Sequence, residues 1–384
     1  MPEPLKLFFD AALIRSIASD LRRAHPAFRR ERFVAACLPK LDGLELMERG
    51  WLIAEALNTH LPRPFALAVE TMLASFGQEL PRPEGSAMAP FRYLPFVLFV
   101  QKYGLEDFEP AMRAQYELTK RFSAEFSIRA FLERYPEKTY ARLRTWAADP
   151  NVHVRRLVSE GTRPRLPWAP RLRDYQRDPR PVLALLELLK DDPELYVQRS
   201  VANNLNDIAK DHPDLAVETC RRWSVDAGAG RSFIIRHALR GLVKQGHRGA
   251  LAALGVATDP KVEIRQIAFE PARIELGGAA RFRLEIVNTG RKRQSLVADY
   301  AVHYVKANGT TRPKVFKLRQ LSLAPGERVE LGATISFKDL TTRKHYPGRH
   351  RLEARISGVA YPLTTFDVVA RPQTRVPRRR RAAA

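Results

Sequence analysis

Cysteine is nearly absent. Cys37 and Cys220 are the two in 384 residues, far apart, with no CxxC pair and no His/Cys cluster at zinc spacing. Neither a disulfide framework nor a metal site is supported. Long apolar runs are missing too: residues 91–100 are too short for a membrane span and contain Pro95. Residues 1–26 mix Asp10, Arg15, Asp20 and Arg22 into their apolar positions, which suits an amphipathic helix better than a signal peptide. There is no P-loop, no GxGxxG ahead of a helix and no nucleophile elbow, so nucleotide hydrolysis and acyl transfer find no support. A bacterial-type cytoplasmic protein without membrane, metal or cofactor is the expectation.

Acidic residues are few relative to basic ones. Against 42 Asp and Glu stand 65 Lys and Arg, mostly arginine, giving a net charge of +23 and a pI near 10.4. Such a field draws polyanions without defining a fold. Nucleic acid is the first candidate partner and an anionic membrane surface the second. Arginine favours bidentate phosphate contacts over diffuse attraction by lysine.

What the chain does have is helical periodicity, then a change of period. Residues 5–80 place apolar side chains at helical spacing, as in Leu13, Ile14, Ile17 and Leu21. Further helices are predicted over 129–135, 138–148, 151–160, 180–190, 194–210, 213–223, 231–244 and 247–254, with Pro150 expected at the first helical position after Asp149. Asp149-Pro150-Asn151-Val152-His153-Val154-Arg155-Arg156 is echoed by Asp192-Pro193-Glu194-Leu195-Tyr196-Val197-Gln198-Arg199. The spacing from Asp149 to Asp192 falls inside the roughly 40–47-residue period of HEAT-type helix pairs. Aligning Val154, Val197 and Ile234 as inward positions brings Arg156, Arg199 and Arg236 into register. Stacked repeats would make these a ladder on one face, unless each is a separate surface arginine or helix cap.

Near Asp259-Pro260 the period becomes two. Strands are predicted over 262–269, 280–287, 298–305, 314–321, 328–337 and 350–356, punctuated by Gly277-Gly278, Asn308-Gly309 and Pro347-Gly348. Six or seven short strands in about 100 residues read as an immunoglobulin-like β-sandwich. The fold class is therefore multidomain: an all-α HEAT-like repeat solenoid over 1–258, an all-β immunoglobulin-like sandwich over 259–370, and a disordered basic tail over 371–384 carrying Arg378 to Arg381.

Acids within a basic array need a reason, because a carboxylate beside a phosphate channel repels the ligand. Glu160 stands four residues after Arg156, as Asn203 does after Arg199, so a plain intrahelical pair is one reading of it. Asp207 lacks an arginine four residues before it and is the more suspicious acid. Trp168 follows Pro164 and Pro167 in an Arg/Pro-rich connection. Its ring is suited to stack on a sugar or unpaired base or to attract a cation, or else it anchors the loop. Trp146, at helical spacing, reads as core. His153, His212 and His237 show no triad or metal partner and read as helix surface or phosphate contacts.

Three stretches carry a resemblance. Residues 122–129 (FSAEFSIR), Val154-Arg155-Arg156-Leu157 with 159–168 (SEGTRPRLPW), and 200–213 (SVANNLNDIAKDHP) resemble the AlkC family of DNA alkylation-repair glycosylases, in a match over most of residues 90–250. The sandwich resembles that of family members with an added Ig-like domain. The one departure is Ala130, where the family pattern has proline. The resemblance implies a monofunctional glycosylase that removes cationic N-methylated bases, especially 3-methyladenine and 3-methylcytosine, without conventional base flipping. It also implies that Glu125, Glu160, Trp168 and Asp207 form the active site, that no metal or cofactor is needed, and that the partner is double-stranded DNA containing alkylated bases.

The chemistry of the residues agrees. An alkylated base already carries positive charge and leaves without a strong general acid; its departure builds an oxocarbenium-like sugar that a carboxylate stabilises. Asp207 is placed in that role, Trp168 against the sugar or lesion, and Glu125 and Glu160 at the water or the base. Arg156, Arg163, Arg165, Arg199, Lys210, Arg236, Arg240 and Lys244 are expected at phosphates. In the sandwich, the loop over 341–346 with Arg343, Lys344 and His345, and Lys314 and Lys317 beside it, is expected to press a groove and bend the duplex. The protein is expected to act as a monomer at the nucleoid. A non-catalytic HEAT-repeat scaffold for bent or damaged duplex, and a solenoid for an acidic protein partner, are the competing readings.

Overall fold

A computed structural model of the chain describes residues 5–81, 89–340 and 343–370. The basic tail and two residues of the proposed groove loop, Thr341 and Thr342, lie outside the described residues. The chain divides into two compact units, Met1–Ala238 and Leu239–Ala384. The described residues form fifteen α-helices followed by eight strands. The helices are α1 (Ala11–Ala24), α2 (Arg30–Cys37), α3 (Leu46–His60), α4 (Phe65–Ala74), α5 (Leu94–Tyr103), α6 (Phe108–Thr119), α7 (Ser127–Arg134) and α8 (Pro136–Trp146). They continue with α9 (Val152–Gly161), α10 (Arg173–Arg177), α11 (Arg180–Leu189), α12 (Leu195–Ile208), α13 (Pro213–Ser224), α14 (Ala229–Gln245) and α15 (Arg248–Ala253). None of the described helices is long and apolar enough to cross a membrane.

The repeat read from the sequence is visible atom by atom. Asp149 Oδ1 accepts from the Asn151 amide at 2.8 Å, and Asp192 Oδ1 accepts from the Glu194 amide at 2.9 Å, so each echo opens with the same side-chain turn. Arg155 donates back to the Asp149 carbonyl at 2.9 Å as Gln198 does to that of Asp192 at 2.8 Å. Arg155 also donates to the Asp192 carboxylate at 2.6 Å, tying one repeat to the next. Asn151 Oδ1 accepts from the His153 amide at 2.9 Å, so Asn151 is the N-cap and α9 starts at Val152; Pro150 lies just outside the helix instead of opening it.

Helices α9 and α12 pack side by side. Val154, Leu157 and Val158 on α9, and Val197, Val201 and Leu205 on α12, are all fully buried. A polar seam crosses this apolar contact: Ser159 Oγ donates to Ser200 Oγ at 2.7 Å, and Asn204 Nδ2 donates to the Ser159 carbonyl at 2.7 Å. The end of α9 also lies against α7, close enough that a Cβ on Gly161 would sit 2.5 Å from Ile128 Cγ2. Only glycine fits there.

The second unit contains β1 (Val262–Glu270), β2 (Arg273–Glu275), β3 (Ala279–Asn288), β4 (Gln294–Val305), β5 (Thr311–Leu323), β6 (Arg328–Ser336), β7 (Gly348–Ile356) and β8 (Val359–Val369). One sheet has the order β1-β3-β6 and the other β2-β8-β7-β4-β5. Phe282, Leu284, Ile286, Leu296, Val302 and Ile356 fill the layer between them. The short β2 and the long β8 were not among the strands read from the sequence. Pro362 in β8 interrupts the strand pattern; it is tolerated because the register shifts between Leu352 and Glu353, where it pairs.

Candidate active site

The turn before α7, the end of α9 and the connection after it bring three of the four implied active-site residues to one cleft. Glu125, Glu160 and Trp168 line a space of about 720 Å³ together with Arg156, Arg163, Tyr196, Phe122 and Pro167. Asp207 stands behind Arg163, 2% exposed, and joins the site through ion pairs.

Those pairs form one alternating chain. Glu125 Oε2 meets Arg156 at 2.7 Å, Arg156 meets Glu160 Oε1 at 3.4 Å, and Glu160 Oε1 meets Arg163 at 2.6 Å. Arg163 Nε then donates to Asp207 Oδ2 at 2.8 Å, and Lys210 Nζ closes the series on Asp207 Oδ1 at 2.7 Å. Ser123 Oγ donates to Glu125 at 2.9 Å and Ser200 Oγ to Glu160 Oε2 at 2.5 Å. Removing any inner member takes one ionic partner from each of its neighbours.

The chain fixes protonation as well as position. Burial alone would raise the Glu160 carboxyl; Arg156 and Arg163 more than offset that and hold it below its ordinary 4.5. Burial would likewise weaken the charge on Arg156, but Glu125 and Glu160 keep its guanidinium firmly protonated. Its guanidinium carbon lies 5.1 Å from the centre of the Tyr196 ring, a cation–π contact. Glu160 is therefore an anion at neutral pH and not a general acid.

Trp168 is 63% exposed and has φ +63°, a conformation that non-glycine residues seldom adopt. Such strain persists only where its surroundings hold it. Trp146 is buried, as its spacing indicated.

Several expected phosphate contacts are placed differently. Arg156 and Arg163 are turned onto Glu125, Glu160 and Asp207, and Arg165 pairs with Asp211 at 2.9 Å; their charges are committed to carboxylates. The arginine ladder thus lacks Arg156 as a free rung, while Arg199, Arg236 and Lys244 are exposed. Lys210 is half-exposed, and Arg240 is partly buried. His153 is buried rather than on the helix surface, 3.3 Å from the Pro81 carbonyl and edge-on to Tyr196.

In the sandwich, Lys314, Lys317 and Lys344 are exposed, and Arg343 lies over the Tyr304 ring at 5.0 Å. His345 is no surface contact: it is buried against Tyr304 and Phe337, and burial lowers its pKa below 6.5. An imidazole flanked by apolar rings loses more by ionising than a phosphate contact would return.

Sequence reasoning missed Tyr196, Ser200, Ser123 and Arg129. Tyr196 was findable, since it echoes His153 at the repeat spacing and the two rings touch. The Ser200 contact with Glu160 depends on how α9 meets α12 and left no mark in the sequence, whereas Ser123 reaches Glu125 within its own turn.

Comparison with known proteins places this geometry. Residues 122–240 match the model of the DNA alkylation repair enzyme family. Residues 263–370 match the C-terminal Ig-like domain of the uncharacterised protein YhaZ. The chain is 35% identical to YhaZ of Bacillus subtilis, covering 95% of this chain and 99% of that one. It is 37% identical to the Pseudomonas fluorescens alkylpurine DNA glycosylase AlkC, solved bound to DNA containing an abasic site analog, with a TM-score of 0.89 over 96% of this chain and all of the other.

Proposed function

The chain belongs to the AlkC family of DNA alkylation-repair glycosylases, and from that premise we propose that it excises cationic N-alkylated bases, 3-methyladenine and 3-methylcytosine, from duplex DNA without conventional base flipping. The observation that carries this reading is the alternating chain from Glu125 to Lys210 beside an exposed tryptophan. A Glu160 carboxylate held as an anion suits a reaction in which the leaving base already carries its positive charge.

The carbon–nitrogen bond breaks as the base takes the bonding electron pair and becomes neutral. Positive charge then rests on the sugar. Asp207 and Glu160 stabilise that oxocarbenium ion electrostatically, and Trp168 stacks on the sugar or lesion. Glu125, beside the Ser123 hydroxyl, orients the water whose oxygen bonds to the anomeric carbon and takes up its proton. Arg156 and Arg163 keep Glu160 ionised, and their ion pairs hold Glu125 and Asp207 in place. Arg199, Arg236, Arg240 and Lys244, with Lys314, Lys317, Arg343 and Lys344 of the sandwich, hold phosphates, and the bend they impose brings the lesion's sugar to the acids without a deep base pocket. The net charge of +23 draws the protein, as a monomer, to the nucleoid.

The test is release of free base from a duplex containing 3-methyladenine. Wild-type protein releases it, while Asp207→Asn binds the duplex and releases none. Equal release by both proteins removes Asp207 from the mechanism. Binding without release by wild type leaves the non-catalytic scaffold as the reading.

A further inference from the structure

Arg129 on α7 is a buried arginine whose hydrogen bonds go to main-chain carbonyls. NH1 donates to the Gly161 carbonyl at 3.2 Å and to that of Arg163 at 2.7 Å, and NH2 donates to that of Pro170. All three acceptors lie on one segment, residues 161–172, which leads from α9 to α10. Leu172 N closes this segment on the Pro164 carbonyl at 3.2 Å, and the buried side chains of Leu166 and Leu172 pin it to the array. Thr162 Oγ1 fixes its start, donating to the Val158 carbonyl at 2.7 Å.

The segment carries two site residues, both within the span from the clamped Gly161 carbonyl to that of Pro170. Arg163 reaches Glu160 and Asp207, and Trp168 stands at the apex with its strained backbone and exposed ring. A ring that exposed is not located by packing, so its position follows from its backbone. Burying a guanidinium is costly unless its donors are used. Here the two terminal nitrogens are used on the path of the main chain that sets where Arg163 and Trp168 stand, while the buried Nε has no hydrogen-bond partner.

We infer that Arg129 is a positioning residue for excision, a clamp that holds the 161–172 segment so that Trp168 and Arg163 keep their places at the reacting sugar. The inference rests on the role given to Trp168 above. It assigns Arg129 no contact with DNA, so its loss should lower the rate of the chemical step and leave affinity nearly unchanged.

The experiment is a double-mutant cycle in single-turnover excision from a 3-methyladenine duplex, with duplex affinity measured alongside. Arg129→Ala is expected to slow excision at least tenfold with less than a threefold change in Kd. In a Trp168→Ala background the same change should cost at least threefold less than in wild type, what remains acting through Arg163. Millimolar methylguanidinium should restore Arg129→Ala and fail to restore the double variant, a response that general loosening of the fold would not give. Equal losses in both backgrounds, or no loss, overturn the inference. If Arg129→Ala does not fold, Arg129→Lys, which keeps a buried donor but cannot span three carbonyls, carries the same cycle. An unimpaired Trp168→Ala removes the premise itself, a result distinct from additivity.

Discussion

Arg163→Met removes the charge that lies between Glu160 and Asp207 while keeping most of the side-chain volume. The guanidinium is within 2.6 Å of one carboxylate and 2.8 Å of the other, and all three groups are largely buried. At about 4 Å between charge centres and an effective dielectric near 20, each carboxylate loses about 4 kcal/mol of attraction. That exceeds the roughly 1.4 kcal/mol per pK unit several times over, so the Glu160 carboxyl, now held below 4.5, should titrate well above its present range. The sign follows: excision needs the anions, so activity is kept at high pH and lost as pH falls. Single-turnover excision between pH 8 and pH 5.5 is the assay, with folding followed by circular dichroism at each pH. Wild type should vary less than about threefold over that window, and Arg163→Met should be at least tenfold slower at pH 5.5 than at pH 8, on the scale of one pK unit or more. A flat profile for the variant would refute the idea that arginine keeps Glu160 ionised.

Three further outcomes are expected. Trp168→Ala should leave the melting temperature unchanged, because the ring is 63% exposed, yet slow excision at least tenfold. Gly161→Ala places a methyl 2.5 Å from Ile128 Cγ2, an overpacking worth about 1–3 kcal/mol in urea unfolding, partly relieved by Ile128→Ala in the same chain. Asp299 in β4 is buried, and burial raises its carboxyl from 3.8 to about 6 against the pull of Lys244, Lys317 and Arg355. Because its folded pKa lies above the unfolded one, it destabilises the sandwich increasingly as pH rises from 3.8 to 6. Asp299→Asn should therefore stabilise that unit by up to about 3 kcal/mol at pH 7.5, with the gain gone by pH 4.

The helical repeats and the sandwich were legible because both depend on short-range pattern. The echo from Asp149 to Asp192 encodes a turn and a pair of hydrogen bonds, so it survives in sequence as well as in space. The division into an all-α region and an all-β region followed from the change of period near Asp259. The missed strand β8 shows the limit of pattern reading, since Pro362 is a breaker until its partner's register is known. At the site, the acids stood out because they were out of place in a basic array. Their counter-ions did not. Arg156, Arg163 and Arg165 look like the exposed Arg199 in sequence, and what separates them is the distance from α9 and its following segment to Glu125, Asp207 and Asp211, which is tertiary. His345 went astray for a related reason: a histidine beside Arg343 and Lys344 reads as part of a basic loop until Asp339 holds its amide and its ring packs on Tyr304 and Phe337.

The central claim is that this site supplies fixed negative charge and no proton. Single-turnover excision should therefore be compared on two duplexes identical but for the lesion, one with cationic 3-methyladenine and one with neutral hypoxanthine. A base that departs without protonation must bring its own positive charge, so release of 3-methyladenine with no detectable release of hypoxanthine is the expected result. Release of both bases at similar rates would contradict the account, because a neutral base leaves at such a rate only when a general acid protonates it.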